Sequence, residues 1–90
     1  MAGYRLLIKP SAKKEIEVLG QKRDRQRMVS QIAHLAPEPR PAACEKLAGP
    51  EGRFRIRHGQ FRVVYAVDDT ARTVEVVKVG HRREVYRGAT

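Results

Sequence analysis

From Arg53 onward the chain changes its period. Arg53-Phe54-Arg55-Ile56-Arg57 alternates a cation with an apolar residue at every step. Phe61-Arg62-Val63-Val64-Tyr65-Ala66-Val67 and Thr73-Val74-Glu75-Val76-Val77-Lys78-Val79 follow it. Period two, rich in Val, Ile, Phe and Tyr, is the pattern of strands with one buried face. The later part of the chain must therefore form a sheet, and what precedes it must cover the apolar face.

The earlier part supplies that cover. Tyr4-Arg5-Leu6-Leu7-Ile8-Lys9 reads as a strand, with Tyr4, Leu6 and Ile8 on one face. Pro10-Ser11 ends it, and Ser11 is placed to cap a helix over Ala12–Leu19. Ala12, Ile16 and Leu19 recur at helical spacing, while Lys13, Lys14 and Glu17 face water. Gly20 stands where a left-handed terminal residue is usual. Met28, Ile32 and Leu35 mark a second amphipathic helix, Asp24–Leu35. The short turn between the helices implies an antiparallel helical hairpin. Pro37, Pro39 and Pro41 stop the second helix, and residues 37–52 read as an extended connection anchored by Cys44 and Leu47. The expected order is β-α-α-β-β-β. That is an α+β fold, a two-helix hairpin on one face of a small, mainly antiparallel sheet, in one domain over residues 1–90.

The hairpin decides where the charge goes. With His58-Gly59 as a two-residue loop, Arg57 pairs with Gln60, Ile56 with Phe61, Arg55 with Arg62 and Phe54 with Val63. One face then carries Phe54, Ile56, Phe61, Val63, Tyr65 and Val67, and the other Arg53, Arg55, Arg57, Gln60 and Arg62. Alternating charge is often only a solvated sheet face. Here no acidic residue lies between Arg53 and Arg62, and opposed like charges oppose folding by roughly 0.2–1 kcal/mol. Guanidinium groups so gathered suit a phosphate, which they grip in a bidentate way. Asp68-Asp69-Thr70-Ala71 connects the last two strands, Gly80 ends the third, and a tail of His81, Arg82, Arg83, Tyr86 and Arg87 adds further polar groups.

Composition bounds the partners. The 90 residues carry 19 Lys and Arg against 10 Asp and Glu, a formal charge of +9. Such a balance favours nucleic acid, an anionic surface or an acidic protein. Hydrophobic content of 41% is too high for a disordered basic tail. Cys44 has no second cysteine to pair with, and no Cys/His set has zinc-ligand spacing. Without a long apolar run at the N-terminus, neither a signal peptide nor a membrane span is expected, and the expected location is cytoplasmic.

The pattern resembles the RelE/ParE toxin superfamily of bacterial type II toxin–antitoxin systems over nearly the whole chain. It does so in Pro10-Ser11-Ala12-Lys13-Lys14-Glu15-Ile16, in Pro39-Arg40-Pro41 and in Cys44-Glu45-Lys46-Leu47-Ala48-Gly49. It does so most specifically in Phe54-Arg55-Ile56-Arg57-His58-Gly59-Gln60-Phe61-Arg62-Val63-Val64-Tyr65 and in Val79-Gly80-His81-Arg82-Arg83-Glu84-Val85-Tyr86-Arg87. The basic sheet face with a C-terminal tyrosine is closer to the RelE branch than to the ParE branch.

The resemblance implies a RelE-like toxin that enters the ribosomal A site and cuts mRNA there by 2′-hydroxyl attack, with no metal or other cofactor. It implies a small acidic RelB-like antitoxin as partner, in a hetero-oligomer. By position, Arg55, Arg57 and Arg62 match the basic sheet residues, Arg82 or Arg83 a basic residue after the glycine, and Tyr86 the terminal tyrosine. Arg53 and Arg87 extend the RNA-binding set. Two sheet positions that are lysine in the best-known RelE are Arg55 and Arg57 here. Arginine stays protonated and is a poor proton donor. Arg55 and Arg57 are therefore read as phosphate-binding and Arg62 as stabilising transition-state charge. Proton transfer falls to His81 with Tyr86, each of which also reads as an ordinary surface or packing residue. His58 reads as an exposed turn residue, His34 as a helix-surface residue, Cys44 as a small buried residue, and Lys22, Arg23, Arg25 and Arg27 as a solvated helix start. Two other functions stay open, a ParE-like inhibitor of DNA gyrase and a non-catalytic basic RNA-binding relic.

Overall fold

The computed structural model describes residues 3–49 and 52–81. Five strands and two helices follow in the order β1 (Arg5–Ile8), α1 (Pro10–Glu17), α2 (Lys22–Ala33), β2 (Glu45–Lys46), β3 (Arg53–His58), β4 (Phe61–Asp68) and β5 (Thr73–His81). The sheet order is β1-β5-β4-β3-β2. β1 runs parallel to β5, and every other pair is antiparallel. The α+β architecture with both helices against one sheet face is as the periodicity predicts.

Helix boundaries differ from the sequence expectation. α1 begins at Pro10, with Lys9 at the N-cap in extended geometry and no side-chain cap, so Ser11 lies inside the helix. Proline at the first helical position already has the required φ and lacks the N–H that would go unpaired there. α1 stops at Glu17 rather than Leu19, and Gly20 takes a φ of +27°. α2 runs two residues earlier at each end than expected, and Arg25 Nη1 turns back to donate to Leu19 O and Gly20 O at 2.9 and 3.0 Å. That arginine satisfies carbonyls at the end of the helical hairpin's first arm.

The core lies between the helices and the apolar sheet face. Met28, Ile32 and Leu35 from α2 and its terminal turn are at most 1% exposed, and Ala12, Ile16 and Leu19 join them. Each large side chain so buried contributes about 1.5–3 kcal/mol. From the sheet come Phe54, Ile56, Val63, Tyr65, Val67, Val74, Val76 and Val79. The residue-37–52 connection contains β2, a two-residue strand too short for any periodicity to reveal, and Cys44 beside it packs half-buried on the core. Tyr65 Oη donates to Pro39 O at 2.7 Å and pins that connection to the sheet.

The hairpin turn is Gly59-Gln60, not His58-Gly59. β3 extends through His58, which pairs with Phe61 and is half-buried rather than exposed in a turn. Gly59 has a φ of +60°, whereas Gln60 is not among the positive-φ residues, the pattern of a type II′ turn. Sliding the turn back by one residue would put His58 at the position that needs a positive φ, which costs a residue with a Cβ. The register therefore places Arg57 opposite Arg62, Ile56 opposite Val63 and Arg55 opposite Val64. Each partner moves by two residues from the expected one, so every side chain keeps its predicted face.

Between β4 and β5 the register shifts once. Val64 pairs with Lys78, but Tyr65 pairs with Val76, which leaves Val77 as an extra residue in a β-bulge. This explains how Val74 and Val76, then Val79 at the opposite parity, are all at most 1% exposed.

Candidate functional site

The sheet face turned away from the helices carries Arg53, Arg55 and Arg57 from β3, with Arg62, Val64 and Ala66 opposite them on β4. Gly80 on β5 lies on the other side of Arg62. Strand pairing thus brings Arg55, Arg57 and Arg62 together near the hairpin turn. Arg53 lies four residues from Arg57, roughly 13 Å along the strand. It lines an open cleft of about 730 Å³ with Arg40, Lys46, Asp68, Asp69 and Glu75, where the acids match the bases in number.

Arg62 is the unusual member. It is 5% exposed, the one buried charged side chain among the described residues. Its Nη1 bends back over the turn and donates to Phe61 O at 3.0 Å and Gly59 O at 3.2 Å. Its Nε is buried and has no hydrogen-bond partner among the described residues. Native structures rarely leave a buried donor unmet, and the cost is greater for a charged group. Such a donor is preorganised for an oxyanion.

The arginine face is not free of acid, as its local sequence suggests. β2 lays Glu45 opposite Arg55. Arg55 Nη2 donates to Glu45 Oε2 at 3.0 Å, and Arg57 Nε stands 3.9 Å from Oε1. Arg55 is 12% exposed in its side chain and Arg57 65%. Arg55 is thus occupied by the carboxylate, while Arg57 presents its guanidinium to solvent. Glu45 is a chemically important group that sequence reasoning missed, because nothing in a linear reading pairs it with residues ten positions later. It adds to the face a group able to accept a proton, which arginine cannot supply.

The remaining expectations divide. His34, the residue that ends α2, donates from Nδ1 to Ser30 O at 2.7 Å and is exposed, as a helix-surface residue. His81 ends β5 opposite Phe61, one step beyond the Gly80 that faces Arg62. Arg82, Arg83, Tyr86 and Arg87 lie outside the described residues.

A family model described as the ParE toxin of type II toxin–antitoxin systems, parDE, matches residues 6–86. Among solved structures, a doubly substituted form of the E. coli toxin RelE in the free state is 32% identical, with 97% of this chain and 93% of that one covered, at a TM-score of 0.77. RelE in the archaeal RelE–RelB complex from Pyrococcus horikoshii OT3 is 27% identical, with 89% and 96% covered, at a TM-score of 0.78. Toxin RelG of Mycobacterium tuberculosis is 42% identical over 36 residues, 40% of this chain. The match spans 41% of that curated relative's length.

Proposed function

The chain belongs to the RelE/ParE superfamily of type II toxins, on its RelE branch, and from that premise we propose that it is a metal-independent, ribosome-dependent endoribonuclease that cuts mRNA in the A site. The observation that carries this reading is Arg62, a buried guanidinium with an unmet donor beside the exposed Arg57. In the proposed reaction the ribose 2′-oxygen attacks the adjacent phosphorus and the bond to the 5′-oxygen breaks. A 2′,3′-cyclic phosphate and a 5′-hydroxyl result. Arg57 binds the phosphate, and Arg62 stabilises the charge that develops on its non-bridging oxygens. Arg55 orients Glu45, whose carboxylate takes the 2′-hydroxyl proton. His81 and Tyr86 serve the leaving oxygen, Arg82 or Arg83 adds a cation to the catalytic set, and Arg53 and Arg87 hold the flanking RNA.

The partner follows from the same charge. The P. horikoshii relative is a RelE–RelB complex, and we assign this chain an acidic RelB-like antitoxin in a toxin–antitoxin hetero-oligomer. With +9 on the toxin, association is electrostatically steered and slows as salt is added. The test of function is mapping of mRNA 5′ ends on programmed ribosomes. Cleavage by the wild type and its loss in Arg62→Ala support the reading. Intact message with inhibited gyrase supercoiling selects the ParE activity instead.

A further inference from the structure

β1 leaves β5 halfway. The last pair is Ile8 with Val76, after which Lys9 N–H reaches Val76 O and Pro10 turns the chain into α1. Past that point, among the described residues, β5 is paired on its β4 side alone, and this is the stretch that holds the bulge and faces Arg62. Glu15 of α1 takes the place a longer β1 would fill. Its Oε1 accepts the Val79 backbone N–H at 2.9 Å, and its Oε2 accepts from Lys78 Nζ at 2.6 Å. Both side chains of that ion pair are about two-thirds covered, at 27% exposure for Glu15 and 33% for Lys78.

The two residues gripped are the first two after the extra Val77. If the Tyr65–Val76 register ran on without the bulge, Arg62 would face Val79 and Lys78 would point into the core beside Val63. The shifted register instead puts Val79 into the core and the side-chain-free Gly80 opposite Arg62. Bulges of this kind re-aim side chains next to active sites.

We infer that Glu15 is a positioning residue that locks β5 in its bulged register and so keeps Gly80 opposite Arg62 and His81 at the strand's end. This rests on the proposed RNA-cleaving role of Arg62 for its functional consequence, while the register itself is read independently of activity. The experiment compares Glu15→Ala and Glu15→Gln with the wild-type full-length chain. Amide exchange at Val79 and exchange of the Arg62 Nε–H are followed by NMR, with the Ile32 amide as the reference for global opening. In Glu15→Ala both signals exchange about tenfold to a hundredfold faster relative to Ile32. Glu15→Gln, which keeps a carbonyl acceptor, restores most of the Val79 protection. On ribosomes Glu15→Ala lowers kcat about tenfold with KM unchanged, since the groups that bind RNA remain. Equal acceleration at Val79, Arg62 and Ile32, or none, overturns the inference. So does a wild type that cuts with an alanine variant of equal kcat, and the ribonuclease reading survives that result. A wild type that cuts nothing, with the exchange changes present, overturns the ribonuclease reading and leaves the lock standing.

Discussion

Both ends of the sheet gather charged side chains, and they spend them in opposite ways. At the end beside the β4–β5 turn, Asp69 accepts from Tyr4 Oη at 2.6 Å and pairs with Arg40 at 2.7 Å. Arg40 lies 5.4 Å over the Phe54 ring and Arg72 lies 5.2 Å over Tyr4. Asp68 Oδ1 accepts the Ala71 N–H at 2.9 Å. These groups answer one another, and they tie the N-terminal strand, the proline-rich connection and the turn into one corner. At the hairpin end, among the described residues, Arg57 and Arg62 face each other with Glu45 as the one acid in reach, and the Arg62 Nε has no partner. A net charge of +9 therefore does not locate a site. The buried Arg62 guanidinium does.

Removing the Arg62 guanidinium should separate the two ends most. Arg62→Met is expected to lower cleavage on programmed ribosomes by about 10²–10³-fold, the scale for loss of one preorganised oxyanion donor. The same change should leave thermal stability unchanged or higher, because a partly unmet buried charge is replaced by an apolar chain of similar reach. A variant that loses stability in step with activity would put Arg62 among the structural residues, like those of the opposite corner. Glu45→Gln comes next. It keeps hydrogen-bonding capacity toward Arg55 but cannot take up a proton, and its cleavage rate is expected to fall about 10²-fold. Ribosome affinity should stay or tighten, since one negative charge leaves the basic face. An unchanged rate would return Glu45 to a purely electrostatic role.

The same contrast explains what could be read from the sequence. Face assignments were legible because side-chain parity survives a slide of the hairpin turn. Arg55, Arg57 and Arg62 share a face whether the loop is His58-Gly59 or Gly59-Gln60. The exact partner was not legible, since it depends on which residue accepts a positive φ. β2 and its Glu45 were hidden, because two residues carry no period and their pairing is set by tertiary contact with Arg55. The Val77 bulge was hidden too, as Val76-Val77 reads equally well in either register. The burial of Arg62 has no sequence signature, because its neighbour Arg57 has the same local pattern and stays exposed.

On the structural side, Tyr65→Phe isolates one bond of the scaffold. The phenol donates to Pro39 O at 2.7 Å, and its loss is expected to cost about 1 kcal/mol of stability, measured by urea unfolding, with cleavage retained. Burial raises the Tyr65 pKa, with Cys44 adding to the shift. The folded pKa therefore lies above the unfolded one. The stabilisation is complete below pH ~10, the unfolded value, and is lost as pH rises beyond it. The phenylalanine variant should lack that alkaline loss. Equal alkaline curves for the two proteins would remove Tyr65 from the account.

The smallest effect is expected at Asp69. Its carboxyl is held below the ordinary carboxylate range, first by the hydrogen bond from Tyr4 and then by that from Arg40. A depressed folded pKa means stabilisation that is present above the unfolded value of ~4 and lost as pH falls through the folded one. Asp69→Asn should therefore flatten the acid side of the stability curve and change little at neutral pH. The side chain is largely exposed, so added salt should shrink even that difference. Cleavage on ribosomes should match the wild type. Asp69 belongs to the network of short hydrogen bonds that closes the corner opposite the hairpin. If breaking it altered cleavage while leaving stability intact, a charge could not be assigned to scaffold or site by asking whether its neighbours satisfy it, and the case for Arg62 would have to rest on its mutation alone.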